Sequence, residues 1–343
     1  GLTGCQEGGV KALRSGNVVT SIVRRWQRRV SALMPAPAAD IGWTLRELPP
    51  PRANATSAFY DVLARVQANE HSPVLSARYV YVLVPGLLSG LSPGYFRQAV
   101  DRLRHLGLDA RYLAVDSSTS ACTHKNAERL RLALGNVHLG TGGQKLVIIA
   151  HSKGVLDTSQ ALLRYPELRG MVHAFVSLQA PFGGAAIADD ICQGNSAAAE
   201  LLERLLGRVD SDINSLRDMT YRRRREVIAS GHSYLLTMGA SKTRMVSLAT
   251  RAPKGLAYAL ALTTMYVEKK HGAASDGLVC VADALLPGSL AIVMDEADHG
   301  LPVLPTMPGA RLKGADVVEA ALTVALSDEA RLPLTKWDTT VKL

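Results

Sequence analysis

Lys145-Leu146-Val147-Ile148-Ile149-Ala150-His151-Ser152-Lys153-Gly154 is the stretch on which the reading of this chain turns. Its first six residues are apolar after the lysine and rich in branched side chains, as in a strand buried on both faces of a parallel sheet. Val155 to Leu163 reads as a helix. A serine between the two sits on a sharp, strained turn, and the positions two before and two after it crowd the neighbouring backbone. Those positions hold the small residues Ala150 and Gly154. The turn lifts the Ser152 hydroxyl clear of the sheet. It also puts the Lys153 N–H at the start of a helix, where it can donate to a developing oxyanion. A small-x-Ser-x-small pentapeptide also arises by chance, so its weight comes from the flanking elements and from partners further along.

Those partners follow in order. Ser275-Asp276-Gly277-Leu278-Val279 offers the carboxylate of Asp276, and Asp298-His299 offers an imidazole. Serine, then acid, then histidine is one of several chain orders that build the same nucleophile, base and orienting-acid geometry. Asp283 and Asp295 compete as the acid, but Asp283 lacks the loop motif and Asp295 lies too near His299 in sequence. His151 diverges from Ser152 and is assigned to packing or pocket lining. Tyr79–Val84 is the strongest strand in the chain and runs into Pro85-Gly86-Leu87-Leu88-Ser89-Gly90. Gly86 permits a tight turn there, with the Leu87 N–H as a second oxyanion donor; a plain Pro-Gly turn has the same composition.

Together these motifs resemble α/β-hydrolases of the lipase and esterase type, above all bacterial triacylglycerol lipases and a broader group of microbial, algal and plant hydrolases. Those lipases carry a Gly-Leu oxyanion turn, a His-Ser-x-Gly elbow, a Ser-Pro-His-x-Gly-like stretch, an Asn-Asp-Gly-Leu-Val acid loop and a later histidine. Here the corresponding residues are Gly86-Leu87, His151-Ser152-Lys153-Gly154, Gln179-Ala180-Pro181-Phe182-Gly183-Gly184, Ser275-Asp276-Gly277-Leu278-Val279 and His299. The likeness spans roughly residues 78 to 327. It implies an α/β-hydrolase fold: a doubly wound, mostly parallel sheet with a helical cap insertion. It also implies Ser152, Asp276 and His299 as catalytic residues, with the Leu87 and Lys153 N–H groups as the oxyanion hole. In the bacterial enzymes an Asp two residues after the histidine helps hold calcium; here that position is Leu301. Calcium takes six to eight oxygens, so no calcium site is carried over, and no cofactor or metal is expected.

Composition fits this class. The chain has 343 residues, 47% of them hydrophobic, enough for one large domain plus extensions. No apolar run reaches the roughly 18 residues of a membrane-spanning helix. Cys5, Cys122, Cys192 and Cys280 form no close pair or metal-ligand spacing and read as reduced thiols. The formal charge of +9 is uneven: Lys11, Arg14, Arg24, Arg25, Arg28 and Arg29 face only Glu7 and Asp40 in residues 1–40. A basic, hydroxylated, acid-poor start is the composition of an organelle-targeting segment. With Ile22, Val23, Trp26 and Val30 on one helical face it also fits a membrane-surface anchor, and a disordered basic tail shares the composition. The expected location is therefore cytoplasmic or organellar, and Gly1 in place of Met points to a beginning further upstream. Arg222 to Arg225 reads as a solvated helix face; nothing marks a nucleic-acid module or an obligate protein partner. Asn54-Ala55-Thr56 matches a glycosylation sequon, a frequent triplet, without a secretory signal.

Pro35 to Pro51 is a Pro-rich break, taken as the boundary between residues 1–40 and a domain over 41–343. Helices are expected at Ala58–Val66, Pro93–Leu106, Lys125–Leu134 and Ala315–Leu326, and further strands at Ala110–Val115, Val172–Gln179, Arg244–Thr250 and Ser289–Met294. That alternation implies a parallel sheet. Residues 185–240 break the rhythm with helical patterns at Ala197–Val209 and Ser211–Ser230, and are expected to form a cap or lid. Leu201, Leu202, Leu205 and Leu206 would be its apolar stripe. Ser233–Met238 competes with Arg244–Thr250 as the next strand. Within lysine 153's helix, Asp157 lies one turn on and is expected to form a helical ion pair worth a few tenths of a kcal/mol. The expected activity is hydrolysis of carboxylic esters with lipid or other apolar acyl groups. An acyltransferase or thioesterase would share the triad, and a ligand-binding protein on the same scaffold would not need it.

Overall fold

Two strands show how the sequence builds the sheet. In Tyr79–Val84, the side chains of Tyr79, Tyr81 and Leu83 pack in one core cluster and those of Val80, Val82 and Val84 in another. In Lys145–His151, Val147 and Ile149 join the first cluster, while Leu146, Ile148 and Ala150 join the second. Period-two side chains that are apolar at every position require cover on both faces. The computed structural model describes residues 40–87, 89, 92–113, 122–195, 198–200, 213–240, 243–253, 255, 260–307 and 309–338.

Its strands are β1 (Ala53–Asn54), β2 (Tyr79–Val84), β3 (Asp109–Tyr112), β4 (Lys145–His151), β5 (Val172–Leu178), β6 (Arg244–Thr250) and β7 (Leu290–Met294). They form one sheet in the order β1-β7-β6-β5-β4-β2-β3, every neighbouring pair parallel. Around it lie α1 (Trp43–Glu47), α2 (Thr56–Gln67), α3 (Arg97–His105), α4 (Thr123–Gly140), α5 (Lys153–Arg164), α6 (Ala186–Cys192), α7 (Ile213–Arg217), α8 (Tyr221–Ala240), α9 (Ala261–His271) and α10 (Gly314–Leu326). Phe59 of α2, Leu103 of α3 and Val317 and Leu322 of α10 cover one face. Leu130 and Leu134 of α4 and Val155 and Leu162 of α5 cover the other.

From β2 the chain steps outward to β3, then returns across β2 to start β4 and winds the other way. In such sheets ligands bind beyond the carboxyl ends of the strands at this reversal. Pro85-Gly86-Leu87 leaves β2 there, and Ser152 leaves β4 beside it, with Val84 registered on Ala150.

The structure departs from expectation in places. Ser233–Met238 lies within α8, and Arg244–Thr250 is the strand. α1, β1, α6 and α9 were not anticipated; β1 is two residues long and α1 five, too short for a periodic pattern. The Arg222–Arg225 run is not one solvated face. Helical geometry turns Arg224 inward, where its Nε donates to the Phe182 carbonyl at 2.9 Å. Arg225 lies over the Trp43 ring at 4.2 Å and pairs with Asp40 and Glu47. The stripe from Leu201 to Leu206, and residues 1–39, lie outside the described residues. Among the described residues no helix is long and apolar enough to cross a membrane.

Asp283 ties the first described turn to the start of α8. Its Oδ1 accepts the Gly42 N–H at 2.8 Å and its Oδ2 accepts the Tyr221 hydroxyl at 2.8 Å. Complete burial pushes the carboxyl up to about 7 against these hydrogen bonds. The unfolded chain therefore loses this proton near pH 4 while the folded chain keeps it until near pH 7. Stability from this group is full below pH 4 and declines as pH rises to 7. Asp283→Asn is expected to remove that decline. The thermal midpoint of the variant should lag the parent most near pH 4 and close on it by pH 7, read by calorimetry across that range.

Candidate active site

Ser152 follows the last residue of β4 and precedes the first of α5, with φ 53° and ψ −129°. A side-chain-bearing residue is held in such a conformation at a cost on the order of 1–3 kcal/mol. Its surroundings enforce it: the Ser152 N–H donates to the Leu178 carbonyl of β5 at 2.9 Å, and the Val155 N–H to the Ser152 carbonyl at 3.0 Å. A Cβ on Gly154 would lie 2.3 Å from the Pro85 carbonyl oxygen, and one on Gly86 2.8 Å from the Ser152 Cβ. Only glycine allows these approaches. The turn after β2 is thus pressed against the serine. Lys153, as the first residue of α5, holds one of the N–H groups that a helix leaves without an internal acceptor.

His299 Nε2 is 2.9 Å from Ser152 Oγ, and His299 Nδ1 is 2.8 Å from Asp276 Oδ2. The loop before His299 is held by its own N–H, which donates to the Asp276 carbonyl at 2.9 Å. The other carboxylate oxygen of Asp276 accepts the N–H groups of Leu278 and Val279 at 2.9 and 2.8 Å. Such an acceptor-only carboxylate fixes the His299 proton on Nδ1 and leaves Nε2 to accept from the serine hydroxyl. Gly277, at φ +105°, makes this tight acid loop, since a Cβ there would lie 2.7 Å from that of Leu260. All three side chains are buried.

The competing acids are engaged elsewhere. Asp283 is buried against Gly42 and Tyr221, and Asp295 forms an exposed pair with Arg251 at 2.9 Å. Asp298 caps the N–H groups of Gly300 and Leu301, both at 3.0 Å, with its carboxyl raised first by burial. Leu301 contributes no side-chain oxygen, and among the described residues no cluster of three His, Cys, Asp or Glu could hold a metal ion. The residues do not fit the calcium site of the bacterial lipases. Cys122, Cys192 and Cys280 are free thiols.

Ser152 and His299 open onto a cavity of about 390 Å³, whose walls include Leu87, Ile187, Leu216, Met219, Leu278 and Val303. Lys153 points the other way. It is fully buried, with Nζ 2.8 and 3.0 Å from the two Asp157 oxygens, and Asn126 donates to the same carboxylate at 2.8 Å. The pair expected on a helix surface is an interior one, where removing one partner costs about 3–5 kcal/mol. His151 does more than pack: it bonds Tyr95, Gln179 and the His299 carbonyl. Sequence reading gave Tyr95 no role. Gln179 ends the expected strand Val172–Gln179 and opens the Gln179–Gly184 motif, and that position was the available signal; the observed strand stops one residue earlier, at Leu178.

No family model matches this sequence, and no curated protein matches it. Among solved structures it is similar to the mature form of Bacillus licheniformis lipase BlEst2, with a TM-score of 0.54 and 19% identity over 74% of this chain and 91% of that one. It is also similar to the metagenomic carboxyl esterase MGS0156, with a TM-score of 0.58 and 22% identity over 73% and 76%. At these identities the likeness is one of fold, and the fold is that of the α/β-hydrolases.

Gly86→Ala is expected to push the turn after β2 and the nucleophile apart. Labelling by a fluorophosphonate probe should slow by about a hundredfold, with the far-ultraviolet circular dichroism of the parent retained.

Proposed function

We propose that this protein is a serine hydrolase that cleaves carboxylic esters carrying a lipid-like or other apolar acyl group. The reading rests on one observation above the others. A hydrogen-bonded line runs from Asp276 through His299 to Ser152 and ends in an apolar cavity. His299 Nε2 takes the hydroxyl proton as Ser152 Oγ attacks the acyl carbonyl. Asp276 keeps the ring in the required tautomer and stabilises the imidazolium that forms. The Leu87 and Lys153 N–H groups receive the oxyanion, and the field at the start of α5 adds to theirs. The intermediate collapses, the alcohol leaves with the proton from His299, and water releases the acid from the acyl-enzyme by the same steps. An alcohol or amine acceptor in place of water would make the same site an acyltransferase, and a thioester donor would make it a thioesterase.

The 185–240 segment forms the cap of this site in our reading. Ala185, Ile187, Leu216 and Met219 from it line the cavity, so it would contact the acyl chain while the turn after β2 contacts the carbonyl. Residues 1–40 would serve as an address or membrane-surface anchor outside the catalytic domain.

Ser152→Ala should abolish fluorophosphonate labelling and hydrolysis of 4-nitrophenyl esters while the protein keeps its thermal midpoint. A folded Ser152→Ala protein that retained most activity would exclude this mechanism.

Asp276→Asn should cost about four orders of magnitude in kcat, since an amide stabilises the wrong tautomer and cannot balance the imidazolium. Asp295→Asn should stay within about twofold of the parent, because surface ion pairs contribute little. Steady-state kinetics on both variants separates the two candidate acids.

A further inference from the structure

His151, Tyr95 and Gln179 lie outside the proton-transfer line, yet they join the turn after β2 to the loop that carries His299. The Gly86 N–H donates to the Tyr95 hydroxyl oxygen at 3.2 Å, and that hydroxyl lies 2.5 Å from His151 Nδ1. His151 Nε2 is 2.9 Å from Gln179 Oε1 and 3.1 Å from the His299 carbonyl oxygen. The Gln179 amide nitrogen donates to the Asp298 carbonyl at 2.8 Å and to the Thr250 hydroxyl at 2.5 Å. Gln179 is fully buried and adopts φ +49°, a conformation uncommon for a residue with a Cβ. Its own N–H is pinned to the Leu248 carbonyl at 2.8 Å.

The ends of this chain set its polarity. A backbone N–H can only donate and a backbone carbonyl can only accept. Since Tyr95 accepts from Gly86, its one proton goes to His151 Nδ1. The His151 proton is then on Nε2, shared between Gln179 Oε1 and the His299 carbonyl. The amide nitrogen of Gln179 must face Asp298, which turns its oxygen toward His151. One arrangement satisfies every group, and it requires a neutral His151. The titratable neighbours that face this ring are Tyr95 from the segment before α3 and His299, whose ring centroid is 4.6 Å away. Burial first, and then the charge of His299, hold His151 well below the usual histidine range.

We propose that Tyr95, His151 and Gln179 are positioning residues that lock the oxyanion turn to the histidine loop through this one-way chain of hydrogen bonds. The proposal rests on the hydrolase reading for its kinetic consequence. Gly86 fixes where the Leu87 N–H points, and the Asp298 and His299 carbonyls fix where the His299 ring stands, so the chain sets the distance between donor and base. A neutral His151 also spares the His299 imidazolium a like charge beside it during turnover.

Ring-¹⁵N histidine NMR of the full chain, with Ser152→Ala and Tyr95→Phe, tests the arrangement without substrate. The expected parent spectrum shows His151 protonated on Nε2 and neutral across the assayed pH range. Tyr95→Phe should shift both His151 nitrogens, because Nδ1 loses its donor. In ester kinetics, Tyr95→Phe and Gln179→Met should each lower kcat about tenfold with KM within about twofold, as expected for small misplacements of reacting groups. Since both cut one chain, the double variant should be no slower than the slower single one. A parent His151 protonated on Nδ1 or titrating in the assayed range would overturn the proposal. So would multiplicative losses in the double variant, or losses confined to KM. Absence of ester turnover in the parent would overturn the hydrolase reading, with the NMR result still deciding the hydrogen-bond chain.

Discussion

The contact between Gly154 and the Pro85 carbonyl governs the architecture of the site. It brings the backbone leaving β4 against the backbone leaving β2 with no room for a Cβ between them. Two adjacent parallel strands that end level, Val84 opposite Ala150, then have to turn away from each other at once. One turns through Pro85-Gly86 and the other through Ser152 at φ 53°. The strain at the serine is sustained by hydrogen bonds to β5 and by a core that covers both faces of β4. The same contact fixes the Leu87 and Lys153 backbone on either side of the serine. Placement of those two backbone segments and of the Ser152 hydroxyl is therefore a single geometric event. It follows from strand register and two glycines.

Electrostatics around this turn is arranged by saturation. The Asp276 carboxylate is buried, but two backbone N–H groups and one imidazole N–H satisfy it. Lys153 could have set a positive charge next to the nucleophile. Pairing with Asp157 inside the domain cancels it, and Asn126 satisfies the carboxylate further. The field at Ser152 is then set by the N-terminus of α5 and the Asp276–His299 pair, not by an adjacent ammonium. A neutral His151 is consistent with the same principle.

Much of this was legible in the sequence because local chemistry dictated it. β2 and β4 are long, apolar and largely β-branched, so their period needs no tertiary information. Small residues flanking Ser152 and a Gly after Asp276 are steric requirements of single turns. What could not be read came from contacts between distant segments. β1 exists because Ala53 and Asn54 find β7 as a partner, and α1 because Trp43 reaches the Gly183 carbonyl. The burial of Lys153 depends on α4 and α8 closing over α5, whereas the spacing to Asp157 alone suits a surface pair equally well. Tyr95 falls in the expected helix Pro93–Leu106 but sits in a turn ahead of its observed start at Arg97, and its partner His151 is set by the strand register, so neither residue discloses the other. Helical periodicity could have placed Arg224 inside, but four consecutive arginines masked it.

Two of the segments that wall the cavity with apolar side chains share one polar anchor. Asp190 of α6 accepts from Tyr266 at 2.7 Å, Lys270 at 2.5 Å and His271 at 2.9 Å, all on α9. Burial pushes that carboxyl up, yet these three donors outweigh it and hold it below the ordinary range. α6 carries Ile187 and Ala188 into the cavity wall, and Leu260 lines it just before α9. At its other end α9 stops at Gly272 in a left-handed conformation and leads within a few residues to the Asp276 loop. The anchoring carboxylate buries three donors that a purely apolar contact would leave unsatisfied, so it specifies one packing of α6 on α9 where apolar side chains alone would permit sliding. The cavity wall that α6 supplies and the helix that leads to the Asp276 loop thus meet at one buried carboxylate.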